Sequence, residues 1–226
     1  MAELILALDL SDGAAALRLL DRIPGVGWVK VGSILGTREG ATLVRELGAR
    51  GHSVFLDLKW HDIPNTVRGA VAAAAELGVR MATVHSLGGH DMMTAAAAAA
   101  PPDLALVAVT VLTSHNRGSY ARALGSAERD LADEAVRQAR MAVGAGLAGV
   151  VSSSQELGSL RAALGPGPLL VVPGIRRPGD RAGDQQRTAT AGEAVRAGAD
   201  YLVIGRSVLE ANDPAAAWES LGEEIQ

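Results

Sequence analysis

The sequence predicts a single (β/α)8 barrel, the TIM-barrel fold, and three observations lead to this prediction. Eight short runs rich in Val, Ile and Leu alternate with eight stretches whose apolar residues recur at helical spacing. The runs are almost continuously apolar, as is typical of parallel strands covered by helices. The length of 226 residues fits one barrel domain over residues 1–226.

The elements follow one another in strict alternation along the chain. The predicted strands are 3–9, 28–32, 53–59, 82–85, 104–110, 148–152, 169–173 and 201–205. The predicted helices are 12–22, 38–50, 65–78, 90–99, 128–145, 154–164, 189–198 and 214–224. Several of these helices begin at Ser, Asp, Asn or Thr, whose side chains accept hydrogen bonds from the free N–H groups of a first turn.

Composition excludes several functional classes. A net charge of −4, from 21 basic and 25 acidic residues, gives no broad positive surface for nucleic acid. No apolar run reaches the roughly 18 residues that span a bilayer, so we expect no membrane role. The chain has no cysteine, which excludes disulfides and thiolate metal sites and fits a reducing compartment. We therefore expect a cytoplasmic protein.

Lysine is rare in this chain, since only Lys30 and Lys59 stand among the 21 basic residues. Arginine is effectively always protonated, whereas an ammonium group can donate a proton during a reaction. The alternative is that these lysines are a remnant of codon usage. Active sites of this fold lie at the carboxyl ends of the strands, and both lysines lie there, which favours a functional role. The other strand-end candidates are Asp9, Asp57, His85, Thr113, the turn 173–176, Gly205 and Arg206.

The segment from Asp57 to Thr66 carries the strongest chemical signal. Asp57 and Lys59 lie two apart on a predicted strand, so their side chains should share one face and meet at the barrel mouth. Asp62 follows in a turn that Pro64 stiffens, facing either the same cavity or a neighbouring subunit. Two carboxylates keep an ammonium protonated, which suits a general acid. The alternative is a structural ion-pair network, although buried ion pairs stabilise poorly after desolvation.

The motifs, in their order, resemble the orotidine 5'-monophosphate decarboxylase family of the bacterial type. The resemblance runs from residue 4 to about residue 210. It is carried by Ala7-Leu8-Asp9, Val29-Lys30-Val31-Gly32, Asp57-Leu-Lys59-Trp-His-Asp62-Ile-Pro-Asn-Thr66, Thr110-Val-Leu-Thr113-Ser114, Pro173-Gly-Ile-Arg176, Gly183-Asp-Gln185 and Ile204-Gly205-Arg206-Ser207. The Asp-x-Lys-x-x-Asp core also occurs in related sugar-phosphate enzymes, whereas His-Asp-Ile-Pro-Asn-Thr and Pro-Gly-Ile-Arg are far more specific.

The resemblance implies a role for each matching residue. Asp57 would lie against the carboxylate of orotidine 5'-monophosphate, and Lys59 would protonate C6 of the pyrimidine as CO2 leaves. Lys30 and Asp9 would hold the ribose hydroxyls and the charge network. Asp62 and Thr66 would reach in from the other subunit of a homodimer with shared active sites. Ile63 and Pro173, within the matching motifs, are counted with the substrate-binding residues.

A long irregular stretch, 174–188, follows the seventh predicted strand and reads as a binding loop or lid. By resemblance, Arg176, Gln185 and Arg206 would bind the 5'-phosphate, supported by the backbone N–H of Gly205. Thr113 would bind the pyrimidine, with Ser114 as the alternative register. The remaining loop arginines, Arg177, Arg181 and Arg187, are interpreted as solvated or lid-surface charges.

The histidines do not predict a metal site, because no pair has zinc-ligand spacing on a helix. His61 and His85 are expected to pack behind the site, and Trp60 to face the helical layer or a dimer contact. We expect neither a metal nor another cofactor.

Two rival functions remain. The first is a 3-keto-gulonate 6-phosphate decarboxylase or hexulose-phosphate synthase, which resemble this chain but carry an acidic magnesium ligand where Lys30 stands. The second is a non-catalytic nucleotide-binding barrel.

Overall fold

The computed structural model describes residues 2–177 and 187–225, and within these ranges eight parallel strands close into a barrel. The strands are β1 Glu3–Ala7, β2 Trp28–Gly32, β3 Ser53–Trp60, β4 Met81–His85, β5 Ala105–Val109, β6 Gly149–Val151, β7 Leu169–Val172 and β8 Tyr201–Ile204. Each strand pairs with the next, and β8 pairs with β1 to close the barrel. The predicted (β/α)8 fold is confirmed.

The helices form the outer layer. They are α1 Gly13–Leu20, α2 Ser33–Arg38, α3 Gly40–Ala49, α4 Pro64–Glu76, α5 Gly89–Ala99, α6 Arg117–Leu124, α7 Leu131–Gly144, α8 Leu157–Leu164, α9 Ala191–Arg196, α10 Arg206–Leu209 and α11 Pro214–Glu223. In the part of the chain that the structure describes, no helix is both long and apolar enough to cross a membrane.

Three of these helices, α2, α6 and α10, were not among the predicted ones. All three are short, with six, eight and four residues, and too few apolar residues recur in them to give a helical pattern. Local hydrogen bonds define α6 instead. The side chain of Asn116 accepts from the backbone N–H of Ser119 at 2.9 Å, and Gly125 ends the helix in the left-handed conformation at φ 60°.

The barrel interior and the helical layer have separate apolar cores. Inside the barrel, one buried cluster comprises Ile5, Ala7, Phe55, Met81, Val107, Val171 and Val203. The larger cluster lies between the strands and the helices. Because side chains alternate along a strand, the residue that follows an inward-facing apolar side chain by two positions points into the mouth of the barrel. Asp9, Asp57 and Thr83 stand in that position above Ala7, Phe55 and Met81.

Candidate active site

A cavity of about 680 Å³ opens at the carboxyl ends of the strands, where active sites of this fold lie. Its apolar lining includes Phe55, Val109, Val151 and Val203, and charged groups line the same space. Nine of the predicted site residues line it: Asp9, Lys30, Asp57, Lys59, Thr113, Pro173, Arg176, Gly205 and Arg206. The cavity size is in the range of small-molecule sites.

Asp57 and Lys59 meet, but not on a regular strand. The Nζ atom of Lys59 donates to Oδ1 of Asp57 at 2.9 Å. Lys59 has a φ of 52°, the one positive value of a non-glycine residue in the described chain, and the pairing of β3 with β4 shifts between Leu56 and Trp60. The expectation of an extended backbone at Lys59 was therefore wrong. A bulge at this point aims the side chain into the cavity.

Lys30 lies between two carboxylates. Its Nζ atom is 3.0 Å from Oδ1 of Asp9 and 3.5 Å from Oδ2 of Asp57. The residue is only 8% exposed, so its charge is compensated by these partners and not by bulk water. Together with Lys59, the arrangement gives alternating charges from Asp9 through Lys30 and Asp57 to Lys59.

Asp57 is the acidic centre of this network. Burial acts to raise the pKa of its carboxyl group, but Lys30 and Lys59 act against it through their charges. Hydrogen bonds from Lys59 and Thr83 act in the same direction as the two charges, and the net effect is a pKa below the usual value. Asp57 is therefore an anion at neutral pH, although its side chain is only 13% exposed.

Thr83 was missed by sequence reasoning. It is fully buried on β4, and its hydroxyl group contacts both partners of the central ion pair. It donates to Oδ1 of Asp57 at 3.1 Å and accepts from the backbone N–H of Lys59 at 2.8 Å. The sequence signal was the position of Thr83 two residues after inward-facing Met81, because side chains alternate along a strand and this spacing places the hydroxyl on the inner face at the barrel mouth.

Arginine side chains lie on the opposite side of the cavity, where β7 and β8 end. Arg176 is buried and donates to the carbonyl of Ile175 at 2.9 Å, and Arg206 begins α10 directly after Gly205. The backbone N–H of Arg176 donates to the carbonyl of Ala189 at 2.9 Å, so the two sides of the loop meet at its base. Gln185 and the motif 183–185 lie outside the described residues, as does Arg181.

Arg187 is not a solvated charge, and that interpretation is corrected. The residue is 6% exposed and forms an ion pair with Glu156. Its guanidinium also donates to the carbonyls of Val111 and Leu112 at 3.2 Å and 3.0 Å. Burial raises the pKa of Glu156, while Arg187 acts to lower it. The loop base is thereby attached to the end of β5, close to Thr113. Arg177 is half-buried and likewise not fully solvated.

Asp62, Ile63 and Thr66 lie apart from the charged network. All three are exposed, and none lines the main cavity as far as the structure describes it. Oδ1 of Asp62 accepts from the backbone N–H of Ile63 at 2.6 Å. A separate open hollow is lined by His61, Asp62, Ile63, Pro64, Leu87 and Gly88. Within one chain, therefore, these three residues of the motif after Lys59 lie outside the described lining of the main cavity.

The histidines have structural contacts. His61 and His85 stack with ring centroids 5.5 Å apart, next to the site. Burial lowers the pKa of His85, and the neighbouring His61 and Lys59 lower it further. Across residues 2–177 and 187–225, no group of three His, Asp or Glu side chains is placed to hold a metal ion. Trp60 packs against the core outside the barrel, on the helical layer.

Comparisons with known proteins agree with one another. The model of the "Orotidine 5'-phosphate decarboxylase / HUMPS family" matches residues 2–221. The chain is 51% identical over 212 residues to an orotidine 5'-phosphate decarboxylase of Anaeromyxobacter sp. (strain K), covering 93% of this chain and 92% of the relative. It is 48% identical over 230 residues to that of Sodalis glossinidius, covering 100% and 90%.

A solved structure shows the same architecture. The crystal structure of orotidine 5'-phosphate decarboxylase from Lactobacillus acidophilus superposes with a TM-score of 0.88 at 34% sequence identity, and the match covers 100% of both chains.

Proposed function

The chain belongs to the orotidine 5'-phosphate decarboxylase / HUMPS family, and we propose that it converts orotidine 5'-monophosphate to uridine 5'-monophosphate and CO2 in de novo pyrimidine biosynthesis. The observation that carries this proposal is the placement of Lys59, Asp57 and Lys30 on one cavity, with the Lys59 ammonium 2.9 Å from Asp57. Two relatives that are 51% and 48% identical to this chain, with 92% and 90% of their own length matched, are both named orotidine 5'-phosphate decarboxylase.

The reaction needs one bond broken and one proton delivered. The bond between C6 and the carboxylate carbon breaks, its electron pair stays on C6, and CO2 departs. The Lys59 ammonium then gives a proton to C6 and is reprotonated from solvent. A fixed ammonium stabilises the developing carbanion, and the anionic Asp57 repels the substrate carboxylate until CO2 has left.

Lys30 distinguishes this reaction from that of the sugar-phosphate siblings. An acidic residue at the end of β2 could hold magnesium, but here an ammonium lies 3.0 Å from Asp9 and 3.5 Å from Asp57. This positive charge repels a divalent cation from the two carboxylates that would otherwise bind it. We accordingly propose a decarboxylation that requires no metal or other cofactor, with Lys30 and Asp9 holding the ribose hydroxyls.

The remaining cavity residues suit the two ends of a nucleotide. Arg176, Arg206 and the backbone N–H of Gly205 would bind the phosphate, since guanidinium groups bind phosphate oxygens in a bidentate manner. Gln185 of the loop is assigned to the same phosphate by resemblance alone. Thr113 would bind the pyrimidine with its hydroxyl group, and Pro173 would contact the nucleotide at the end of β7.

Exposed apolar side chains support a homodimer. Of the five large apolar residues exposed in the described chain, four follow the ends of consecutive strands: Ile34 after β2, Ile63 after β3, Leu87 after β4 and Leu112 after β5. They lie along one half of the barrel rim, where a partner would cover them. Asp62 and Thr66 lie on the same rim, and we propose that they, together with Ile63, complete the partner's site.

The cellular setting is part of the proposal. The absence of cysteine from the sequence fits a reducing compartment, and the net charge of −4 gives no broad electrostatic attraction to nucleic acid. We therefore place the enzyme in the cytoplasm, with a small-molecule substrate and a second copy of itself as its binding partners.

A direct assay tests the activity. Loss of the absorbance of the orotate ring is followed after adding the protein to orotidine 5'-monophosphate, with and without a chelator, and 3-keto-gulonate 6-phosphate is assayed in parallel. We expect decarboxylation of the nucleotide alone, at the same rate with chelator. Activity that the chelator abolishes and magnesium restores would contradict the metal-free reaction. Turnover of the sugar phosphate alone would favour the sibling function, and binding without turnover the non-catalytic barrel.

A further inference from the structure

We propose that Thr83 is a positioning residue for Lys59 and Asp57, and that its hydroxyl group holds the bend that aims Lys59 into the cavity. The inference rests on the proposed function, because it concerns the groups assigned to proton transfer. The observation that carries it is the pair of contacts that one buried hydroxyl makes, at 2.8 Å to the backbone N–H of Lys59 and at 3.1 Å to Asp57.

The bend at Lys59 needs support. A φ of 52° is sparsely populated by residues with a side chain, and the regular pairing of β3 with β4 is interrupted between Leu56 and Trp60. In a regular sheet, the backbone N–H of Lys59 would donate to a backbone carbonyl of β4. Here it donates to the side-chain hydroxyl of Thr83 on the same strand β4. The hydroxyl thus replaces a missing strand hydrogen bond at the residue where the bend occurs.

The same hydroxyl fixes the position of Asp57. A threonine hydroxyl has one proton to donate, and here that proton goes to Oδ1 of Asp57 while the oxygen accepts from Lys59. Oδ1 of Asp57 also accepts from Nζ of Lys59 at 2.9 Å. The three groups form a closed set of hydrogen bonds, in which the backbone and the side chain of Lys59 are both tied to Asp57.

Thr83 acts through its neighbours and not on the substrate. The residue is 0% exposed and is absent from the described lining of the cavity. Its removal should therefore leave substrate binding largely intact and disturb the geometry of proton delivery, a step that is sensitive to displacements of about 1 Å.

The test compares Thr83→Val, which keeps the shape and loses the hydroxyl, with Thr83→Ser, which keeps the hydroxyl and loses the methyl. We expect kcat of Thr83→Val to fall roughly 10- to 100-fold with KM within about threefold of the wild type. Thr83→Ser should stay within about threefold in both constants. Loss of the hydrogen bond to Asp57 should also raise the pKa of that carboxyl group and move the acid limb of the kcat profile of Thr83→Val to higher pH.

Thr110→Val is the matched control. Thr110 is as buried as Thr83, follows the end of the neighbouring strand β5, and donates its hydroxyl to the carbonyl of Val151 at 3.0 Å without contacting the charged network. We expect its kcat to stay within about threefold of the wild type, because the lost bond does not reach Lys59. If Thr83→Val does not fold, Thr83→Ala takes its place, since it also lacks the hydroxyl.

A second readout does not depend on turnover. Hydrogen exchange of the Lys59 amide should be faster in Thr83→Val than in the wild type and Thr83→Ser. Unchanged kcat and unchanged exchange would overturn the inference, as would equal losses in Thr83→Ser and Thr83→Val, which would show that packing of the methyl matters. Failure of the wild type to decarboxylate the nucleotide would instead overturn the proposed function, while the exchange measurement would still test the bend.

Discussion

The Cβ atom that Gly32 lacks would lie 3.0 Å from the Nζ atom of Lys30 and 3.2 Å from Oδ1 of Asp9. A methyl group at this position would push these two atoms by a few tenths of an ångström, and with them the ion pair that lines the cavity. We expect Gly32→Ala to lower kcat/KM by roughly tenfold, because a misplacement of an active-site group by about 1 Å can cost on the order of 100-fold in rate. Steady-state kinetics with orotidine 5'-monophosphate measure the effect.

Gly48→Ala on α3 is the control for this change. A Cβ at Gly48 meets no atom within 4 Å, so the variant should keep the kinetic constants of the wild type. Equal constants for Gly32→Ala and Gly48→Ala would show that Lys30 tolerates the displacement.

Lys59→Arg should be nearly inactive although it keeps the positive charge. A guanidinium remains protonated at neutral pH, so it can balance Asp57 but cannot deliver the proton to C6. The measurement is kcat of the variant relative to the wild type, with circular dichroism to verify folding. Activity within tenfold of the wild type would remove Lys59 from the role of proton donor.

Arg206→Ala should weaken substrate binding, mainly because a contact with the phosphate group is lost. A charge-assisted contact of this kind contributes about 1.5–3 kcal/mol. With a substrate that lacks the phosphate, added phosphite dianion should increase the rate of the wild type more than that of the variant. Equal rescue of both proteins would point to another phosphate ligand.

Mixing two inactive variants should restore activity if the sites are shared. Lys59→Ala and Asp62→Ala subunits would form hybrid dimers in which one site carries both defects and the other carries neither. Random exchange makes about half of the dimers hybrids, each with one intact site, so activity should approach roughly a quarter of the wild type. No recovery, once mass spectrometry has verified exchange, would mean that Asp62 serves its own chain.

Glu134 should make stability depend on pH in the acidic range. Hydrogen bonds from Arg137 are the largest influence on its carboxyl group, burial opposes them, and bonds from Gln138 and Tyr120 support them, so that the pKa falls to about 2. A carboxyl group with a lowered pKa in the folded state stabilises fully above its ordinary pKa of about 4.5, and this contribution is lost as the pH falls through about 2.

Glu134→Gln should therefore have a lower free energy of unfolding than the wild type at pH 7, and the difference should shrink between about pH 4.5 and pH 2. Urea denaturation across this range measures it. Exposed Glu219 on α11 provides the control, because Glu219→Gln should change the free energy at pH 7 by no more than about 0.5 kcal/mol. The prediction would be contradicted if the free energies of unfolding of Glu134→Gln and the wild type differed by the same amount at pH 7 and pH 3.

The sequence by itself determined the barrel and most of its candidate site. Alternation of apolar runs with helical stretches is a local property of the sequence, so all eight strands could be predicted from it. The positions of Lys30, Asp57, Lys59 and Arg206 at the ends of those strands identified them as site candidates, because parallel strands of a closed barrel all end at the same mouth. The short helices α2, α6 and α10 were not predicted, because their few apolar residues form no helical pattern.

Only the tertiary structure decided how neighbouring strands meet. The bend at Lys59 is held by a hydrogen bond to Thr83 on β4. The ion pair of Arg187 with Glu156 likewise joins residues that are distant in sequence. Such contacts depend on the register between strands and on where a bulge interrupts it. No local pattern of residue types records that register, because it is set by the packing of all eight strands around a common core.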